Sequence, residues 1–457
     1  MEKHNLFTGD PFVDNGFLAK SYLKDISNEP QTDLDLINRV CDIYVDRWGA
    51  KINALFLNSK VTQPAFKPPQ KKEKTYEFYQ NLDKPSSADT TGYCRTCGSQ
   101  GALFKAGRDV FCLTGSGDYA NFHHGHEPGV MVCKACLINL FFLPLSVLQM
   151  GGCLALLQLN SPEVRKYWRE KTVAANFSAI GIGSSDAILR SKYANPKNAL
   201  FNLAKEIINT TEADRGSQFL ELYHFTNFGA SPDCEIYRLP APVFTFLDIV
   251  LRSCKKDWYD FVRAYYRISG ASWQDEIESW QKNKHGNERL DESEYLNNPN
   301  LIYEKLLAGE SIISFFAGYA RRRYMKDLPG AHKFIVRFYL EEVMLMEKER
   351  INVIKRVADT ILDMAREEDA VNKYLTKIQG PQNAYELRSV IVWMVKRHNK
   401  LHPEQTALIT LDEYLDYLFP PGQFWSEIRD LMLIYLYQRL HEENIRIEEA
   451  SDNADNA

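Results

Sequence analysis

The chain has 457 residues, 45% hydrophobic and 12% aromatic, enough to bury a large core in roughly two to four domains. Its 25% charged residues are ordinary for a soluble protein, and nine cysteines over this length exclude a disulfide framework. The net charge of −5 is unevenly spread: residues 441–457 hold six acids against Arg446, and taking these from the totals of 60 and 55 leaves the rest balanced, 54 against 54. Nucleic-acid binding through local basic patches is therefore not excluded. Eight basic and three acidic residues fall in 161–205, and five lysines with one glutamate fall in 60–74. The opening MEKHNLFTGD is charged and lacks an apolar run. No signal peptide is read there, and a cytoplasmic, reducing setting is expected, in which paired cysteines serve as metal ligands.

In chain order, Asp10-Pro11 reads as a turn or cap with proline at the first helical position. Asp14 is a candidate cap for a helix burying Phe17, Leu18, Tyr22 and Ile26. An amphipathic helix follows around 32–49, then KINALFLNS as a strand. Residues 60–92 are rich in Pro, Lys and Ser and read as a linker. The stretch 137–159 carries no charge and is long enough to span a bilayer. Asn139, Pro144, Gln149, Gly151, Gly152 and Gln158 interrupt it, so it is read as a buried helix to about Leu148, a glycine turn and a central strand at 153–159. Membrane insertion is not expected. AIGIGSSDAILRSKY reads as a plain glycine turn rather than a phosphate loop. Residues 217–246 have the pattern of paired strands, and from about Pro242 the chain turns helical.

The strongest signal is the pair Cys94/Cys97 and Cys133/Cys136. Each Cys-x-x-Cys places two thiolates on one tight turn, and two such turns complete a tetrahedron around Zn2+. Four thiolates leave no position for water, so the expected site is structural. Between the pairs lie Cys112 and His123, His124 and His126, which suggest an open, catalytic metal site. Only Asp118 and Glu127 flank these histidines, and a solvated loop accounts for them more simply. The residues alone thus leave a competing reading, a stand-alone zinc-dependent nuclease or deaminase using loop 112–126. No Walker loop, nucleophile elbow or dinucleotide fingerprint is present.

Several residues are candidates for nucleic-acid contact. Ser116 and Asn121 lie in the glycine-bearing TGSGDYANF, read either as base-edge contacts or as a turn packed on its own scaffold. Lys71 and Lys72 belong to the lysine-rich stretch. In SCKKDWYDFVRAYYR, Lys255, Lys256, Arg263 and Arg267 interleave with Trp258, Tyr259, Tyr265 and Tyr266, and an amphipathic helix with its aromatics in the core is preferred over a stacking platform. Arg321, Arg322 and Arg323 form the most compact cationic cluster of the second half.

TGDPFVDNG (8–16), CRTCG, LTGSGDYANF (113–122), CKACL, FFLPL and GGCLALLQ occur in an order that resembles the large, signature subunit of type I-B CRISPR Cascade complexes. The matching motifs cover roughly residues 6–160. The resemblance implies a non-catalytic subunit at the foot of a guide-RNA complex, touching the 5′ handle of the crRNA. It implies recognition of a short motif flanking the target in double-stranded DNA, help in opening the duplex, and a surface for a helicase-nuclease. The implied partners are the Cascade backbone and 5′-handle-capping subunits and a small helical subunit, with no membrane. In such complexes base pairing reads the sequence, while protein supplies backbone grip and reading of the flanking motif. Cys112 and the histidine run receive no role from the resemblance.

The expected fold is α+β: an N-terminal α/β part with a basic linker (1–90), a zinc-binding insertion (91–137), a mixed core becoming helical (138–330), a helical bundle (331–440) and an acidic disordered tail (441–457). In the bundle, apolar residues such as Ile351, Ile354, Val357, Ala358, Ile361 and Leu362 recur at helical spacing. Relatives make the small helical subunit from an internal start, and Met325, Met344 and Met346 stand near the head of this bundle, Met325 favoured.

Overall fold

The computed structural model describes residues 7–447, apart from 54, 115–128, 185–186, 211–217, 228–231, 283–287, 329–332 and 423. It is a mixed α and β chain with its cysteine cluster in the N-terminal part and helices in the C-terminal region. Two compact units result, Met1–Ala241 and Pro242–Ala457.

The first unit runs α1 (Pro11–Asp25), α2 (Asp33–Asp42), α3 (Pro68–Asn81), β1 (Thr90–Tyr93), β2 (Gln100–Ala106), β3 (Val130–Cys133), α4 (Lys134–Phe141), β4 (Leu148–Met150) and β5 (Cys153–Leu157). It continues through α5 (Pro162–Trp168), α6 (Ala175–Gly181), α7 (Pro196–Thr210), β6 (Leu220–Thr226) and β7 (Asp233–Leu239). Two antiparallel sheets form, β1-β2-β3 and β4-β5-β6-β7.

The motif TGDPFVDNG is spent on holding α1 in place. Asp10, not Asp14, is the cap, and its carboxylate accepts from the N–H groups of Phe12 at 3.0 Å and Val13 at 2.9 Å. Burial pushes the Asp10 carboxyl up to about 7. Asp14 reaches back to accept from the Thr8 N–H at 2.7 Å, the Thr8 hydroxyl at 2.8 Å and the Gly9 N–H at 2.9 Å. The Asn15 amide donates to the carbonyl of Leu157 in β5 at 2.9 Å, and its oxygen accepts from the Ser146 hydroxyl at 2.8 Å. Gly16 lies so close to α4 that a Cβ there would stand 1.9 Å from the Asn139 carbonyl oxygen. Phe12 carries α1 onto the larger sheet, its ring 5.1 Å from that of Phe225.

Several local expectations are corrected. KINALFLNS forms no strand: Leu55 and Phe56 both donate to the Ile52 carbonyl, and Phe56 turns into the core. The linker contains the helix α3, whose Tyr79 ring packs 5.1 Å from Phe141. The helix expected to reach Leu148 stops at Phe141, and a short 3₁₀ turn leads to β4. β4 and β5 are joined by Gly151, whose φ of +61° suits glycine and where a Cβ would stand 3.2 Å from the Ala194 carbonyl oxygen. No helix among the described residues is long and apolar enough to cross a membrane. The paired strands expected in 217–246 are present as β6 and β7.

The second unit comprises α8 (Ala241–Ser253), α9 (Lys255–Arg263), a hairpin of β8 (Ala271–Gln274) and β9 (Ser279–Lys282), α10 (Glu292–Tyr295), α11 (Leu301–Leu307), α12 (Ile313–Met325), α13 (Lys333–Phe338), α14 (Lys348–Glu367), α15 (Val371–Gln379), α16 (Ala384–Leu401) and α17 (Trp425–Glu442). The hairpin is the exception to an otherwise helical region, with Trp273 paired opposite Trp280. α17 buries ten of its 18 residues and packs against α12, α14, α15 and α16. Residues 448–457 of the expected tail lie outside the described residues.

Gly16→Ala is expected to cost about 3 kcal/mol or more, because the new methyl meets backbone rather than a yielding side chain. Gly181→Ala, whose Cβ meets nothing within 4 Å, should leave the melting temperature nearly unchanged. Equal melting temperatures for the two variants would disprove the close approach.

Candidate metal centre

The first Cys-x-x-Cys lies in the turn between β1 and β2. Cys94 accepts from the Gly98 N–H at 2.9 Å and donates its own N–H to the Ser99 carbonyl at 2.9 Å. Gly98 has a φ of +68°, a backbone state that favours glycine, so the CRTCG spelling follows from the turn. The second pair begins where β3 ends. Cys133 caps α4, and Cys136 lies in its first turn. Pairing of Leu103 with Cys133 across β2 and β3 brings the two turns together.

The four sulfurs all lie within 4.8 Å of one another. Cys97 Sγ and Cys133 Sγ are 3.6 Å apart. A tetrahedron of thiolates at the zinc–sulfur length has edges of about 3.8 Å, so the spacing suits a metal ion. Cys94, Cys133 and Cys136 are buried and Cys97 is half-buried, which closes the site to solvent on most sides. The backbone N–H of Cys133 points at Cys94 Sγ, 3.2 Å away, and the Cys97 thiol donates to the Ser99 hydroxyl oxygen at 3.2 Å. A backbone N–H aimed at sulfur, as at Cys94, stabilises its thiolate. Hydrogen bonds from Cys133 and Cys136 hold the Cys94 thiol well below its ordinary range, and the same sharing pushes Cys136 up. Four sulfurs this close cannot all ionise without a cation among them. The group can hold a metal ion through Cys94, Cys97, Cys133 and Cys136.

Cys112 is not part of this cluster. It is buried, and desolvation pushes its thiol well above the ordinary value, which disfavours the thiolate a metal ligand needs. His123, His124 and His126, with Ser116 and Asn121, lie outside the described residues. The near end of their segment is fixed by Asn227, a residue the sequence reading did not single out. Its amide oxygen accepts from the Leu113 N–H at 2.9 Å and the Arg108 side chain at 3.2 Å, and its amide donates to the Leu55 carbonyl at 3.0 Å. The signal was a lone asparagine at the end of an apolar strand.

The candidate basic residues are dispersed and mostly paired within the fold. Lys72 on α3 bridges Asp42 at 2.7 Å and Asp46 at 2.6 Å, while Lys71 is half-exposed beside it. Hydrogen bonds to Asp42 and Asp46 push Lys72 above its ordinary value. Lys255 is exposed at the start of α9. Lys256 pairs with Asp260 at 2.6 Å and Glu278 at 3.3 Å. The aromatics of α9 face the core as expected: Trp258 is 1% exposed, and the Phe261 ring stacks 4.3 Å from Phe316.

The cluster Arg321–Arg323 does not act as one cationic patch. Arg323 is buried, bonding Glu278 at 3.2 Å and the Tyr319 hydroxyl at 3.3 Å. Arg322 pairs with the buried Asp275 at 3.6 Å and lies 5.4 Å over the Tyr265 ring. These acids sit at the tip of the β8–β9 hairpin, far away in sequence. Arg321 alone is exposed.

A family model described as the DevT C-terminal domain matches residues 326–457. No curated protein matches the chain.

Elemental analysis of the purified chain should give one metal ion per molecule, and Cys133→Ser should lower that occupancy and the melting temperature together, because metal binding at a closed site supplies folding energy. Full occupancy in the variant would remove Cys133 from the site. Arg323→Ala should cost about 2 kcal/mol by removing a buried guanidinium and its hydrogen bonds to Glu278 and the Tyr319 hydroxyl. Arg321→Ala should change stability by no more than about 0.5 kcal/mol. Matching urea midpoints would show that Arg323 is not the inward-facing member.

Proposed function

We propose that this chain is the large, non-catalytic subunit of a type I-B CRISPR guide-RNA surveillance complex, with Zn2+ as its structural ion. The observation that carries this reading is the closed four-cysteine centre, set in the same stretch as the motif series of residues 8–159. A site filled by four thiolates has no open position for water, so it scaffolds rather than reacts. The opposite end of the chain supports the same reading, since DevT proteins are CRISPR-associated and the matched domain covers residues 326–457. The burial of Cys112 weighs against the stand-alone nuclease or deaminase.

In this reading the chain works in the cytoplasm with crRNA, target double-stranded DNA, the backbone and 5′-handle-capping subunits, a small helical subunit and a helicase-nuclease. Segment 115–128, held at its near end by Asn227, supplies the flanking-motif contact through Ser116 and Asn121. Backbone grip comes from scattered cations, such as the exposed Lys255 and the half-exposed Lys71, rather than from one patch.

Co-expression with the companion subunits and a guide RNA tests this directly. The chain should co-elute with the assembled ribonucleoprotein, and the isolated chain should show no metal-dependent turnover of nucleic acid. Asn121→Ala should leave assembly intact and cost about 1–3 kcal/mol of target binding, with a loss that depends on the flanking sequence. Metal-dependent cleavage or deamination by the isolated chain, with no co-elution, would overturn the reading.

A further inference from the structure

In the second unit, α12, α15 and α17 line an open cleft of ≈ 320 Å³. Its floor is small, formed by Ala317 and Gly318 of α12, and Leu433 of α17 supplies an apolar wall. A Cβ on Gly318 would meet nothing within 4 Å, so the missing side chain opens onto free space. The rest of the lining is polar: Ser314, Arg321, Gln379, Arg429, Tyr437 and Asp430, whose carboxylate is engaged by Arg429.

Two of these polar groups, Gln379 and Arg429, are held in place by hydrogen bonds. Gln379 donates through its amide to the Tyr437 hydroxyl at 2.7 Å, which leaves the amide's oxygen and second N–H for a ligand. Arg429 donates to the Pro381 carbonyl at 3.0 Å and to Asp430 at 2.9 Å, and its guanidinium lies 5.1 Å over the Trp425 ring. Arg321 is the exposed arginine of its cluster. The volume is at the lower end of small-molecule pockets, about 300 Å³. The more apolar groove lined by Val336, Leu340, Ile351, Ile354, Leu431 and Ile434 also carries Arg337, Lys355 and Gln438, but nothing there selects an occupant.

We propose that the α12–α15–α17 cleft binds one nucleoside monophosphate unit. The phosphate lies against Arg321. The base rests on the Ala317–Gly318 floor beside Leu433, and its edge meets the Gln379 amide and the Ser314 hydroxyl. A bare anion would use only the rim, and an aliphatic anion would leave the Gln379 amide unmatched in contact with apolar surface. The floor, the amide and one guanidinium together suit a flat, polar-edged ring that carries a phosphate. The unit comes either as a free nucleotide or as one residue of a nucleic-acid strand. The inference goes beyond the assembly reading, because it concerns the isolated chain and needs no guide RNA.

The test titrates adenosine 5′-monophosphate, adenosine and inorganic phosphate separately into the full-length chain, followed by calorimetry and by tryptophan fluorescence. The monophosphate should bind more tightly than either fragment. Arg321→Gln should weaken it about tenfold while leaving adenosine unchanged. Gly318→Leu fills the cleft and should abolish binding, and Gly318→Ala should retain it. Thermal melting checks that each variant is folded. A short oligodeoxyadenylate that displaces the monophosphate assigns the unit to a strand, and one that fails to displace it assigns the unit to a free nucleotide. Undiminished binding by folded Gly318→Leu would overturn the proposal. So would inorganic phosphate binding as tightly as the nucleotide, or no binding of either nucleotide or strand to the wild-type chain.

Discussion

The contact of Gly16 with the Asn139 carbonyl couples two parts of the first unit that the sequence presents separately. Three consecutive residues of α1 face three different neighbours. Asp14 gathers the segment before the helix, Asn15 bonds β5, and Gly16 admits α4. α4 carries Cys136 and begins at Cys133, so the helix that seats the motif also seats the metal centre. The cysteine module is thereby fixed to the larger sheet through one shared helix. The buried Lys20 extends the coupling: it bonds Asp33 of α2 and lies near enough to Cys136 to feel its charge. Four thiolates around a divalent cation carry a net negative charge, which a neighbouring ammonium offsets.

Charge in this protein is largely consumed by its own fold. Arg323 can be buried because Glu278 and the Tyr319 hydroxyl meet its guanidinium. A buried guanidinium without such partners would cost several kcal/mol. Lys256, Arg322 and Arg323 all converge on acids at the tip of the β8–β9 hairpin. Three adjacent arginines on a helix point in different directions at about 100° per residue, so a run in sequence does not make a run in space. That geometry separates Arg321, turned to the cleft rim, from its two neighbours.

The cysteine centre was legible because tight turns and coordination are local: the spacing of each pair and Gly98 specify the turn. The long C-terminal helices were legible from apolar spacing, as in α14, and β6 and β7 from their alternation and the intervening turn residues. α3 was not, because prolines and lysines dominate it and only Thr75 and Tyr79 are buried. β4 has three residues, too few to show a period. The partners of the arginine cluster were invisible for a different reason. Asp275 and Glu278 lie more than a helix away in sequence, and only the folded hairpin brings them to α12. Lys256 and Asp260, four apart on one helix face, were the readable exception.

The same packing bears on where the C-terminal module begins. The matched family domain starts at residue 326, immediately after α12 ends at Met325. Yet α12 lies directly on α17, the central helix, with the Tyr324 ring 5.4 Å from Tyr437. Tyr324 also donates its hydroxyl to the Ile445 carbonyl at 2.6 Å, fixing the chain beyond α17. A product starting at Met325 would lack α12 and both of these contacts. It would also uncover the face of α17 that carries Leu433 and Tyr437, both buried in the full chain. Exposed apolar surface of that kind does not stay solvated when a partner is at hand. An internal product would therefore need another helix in the place of α12, whereas the full chain supplies its own.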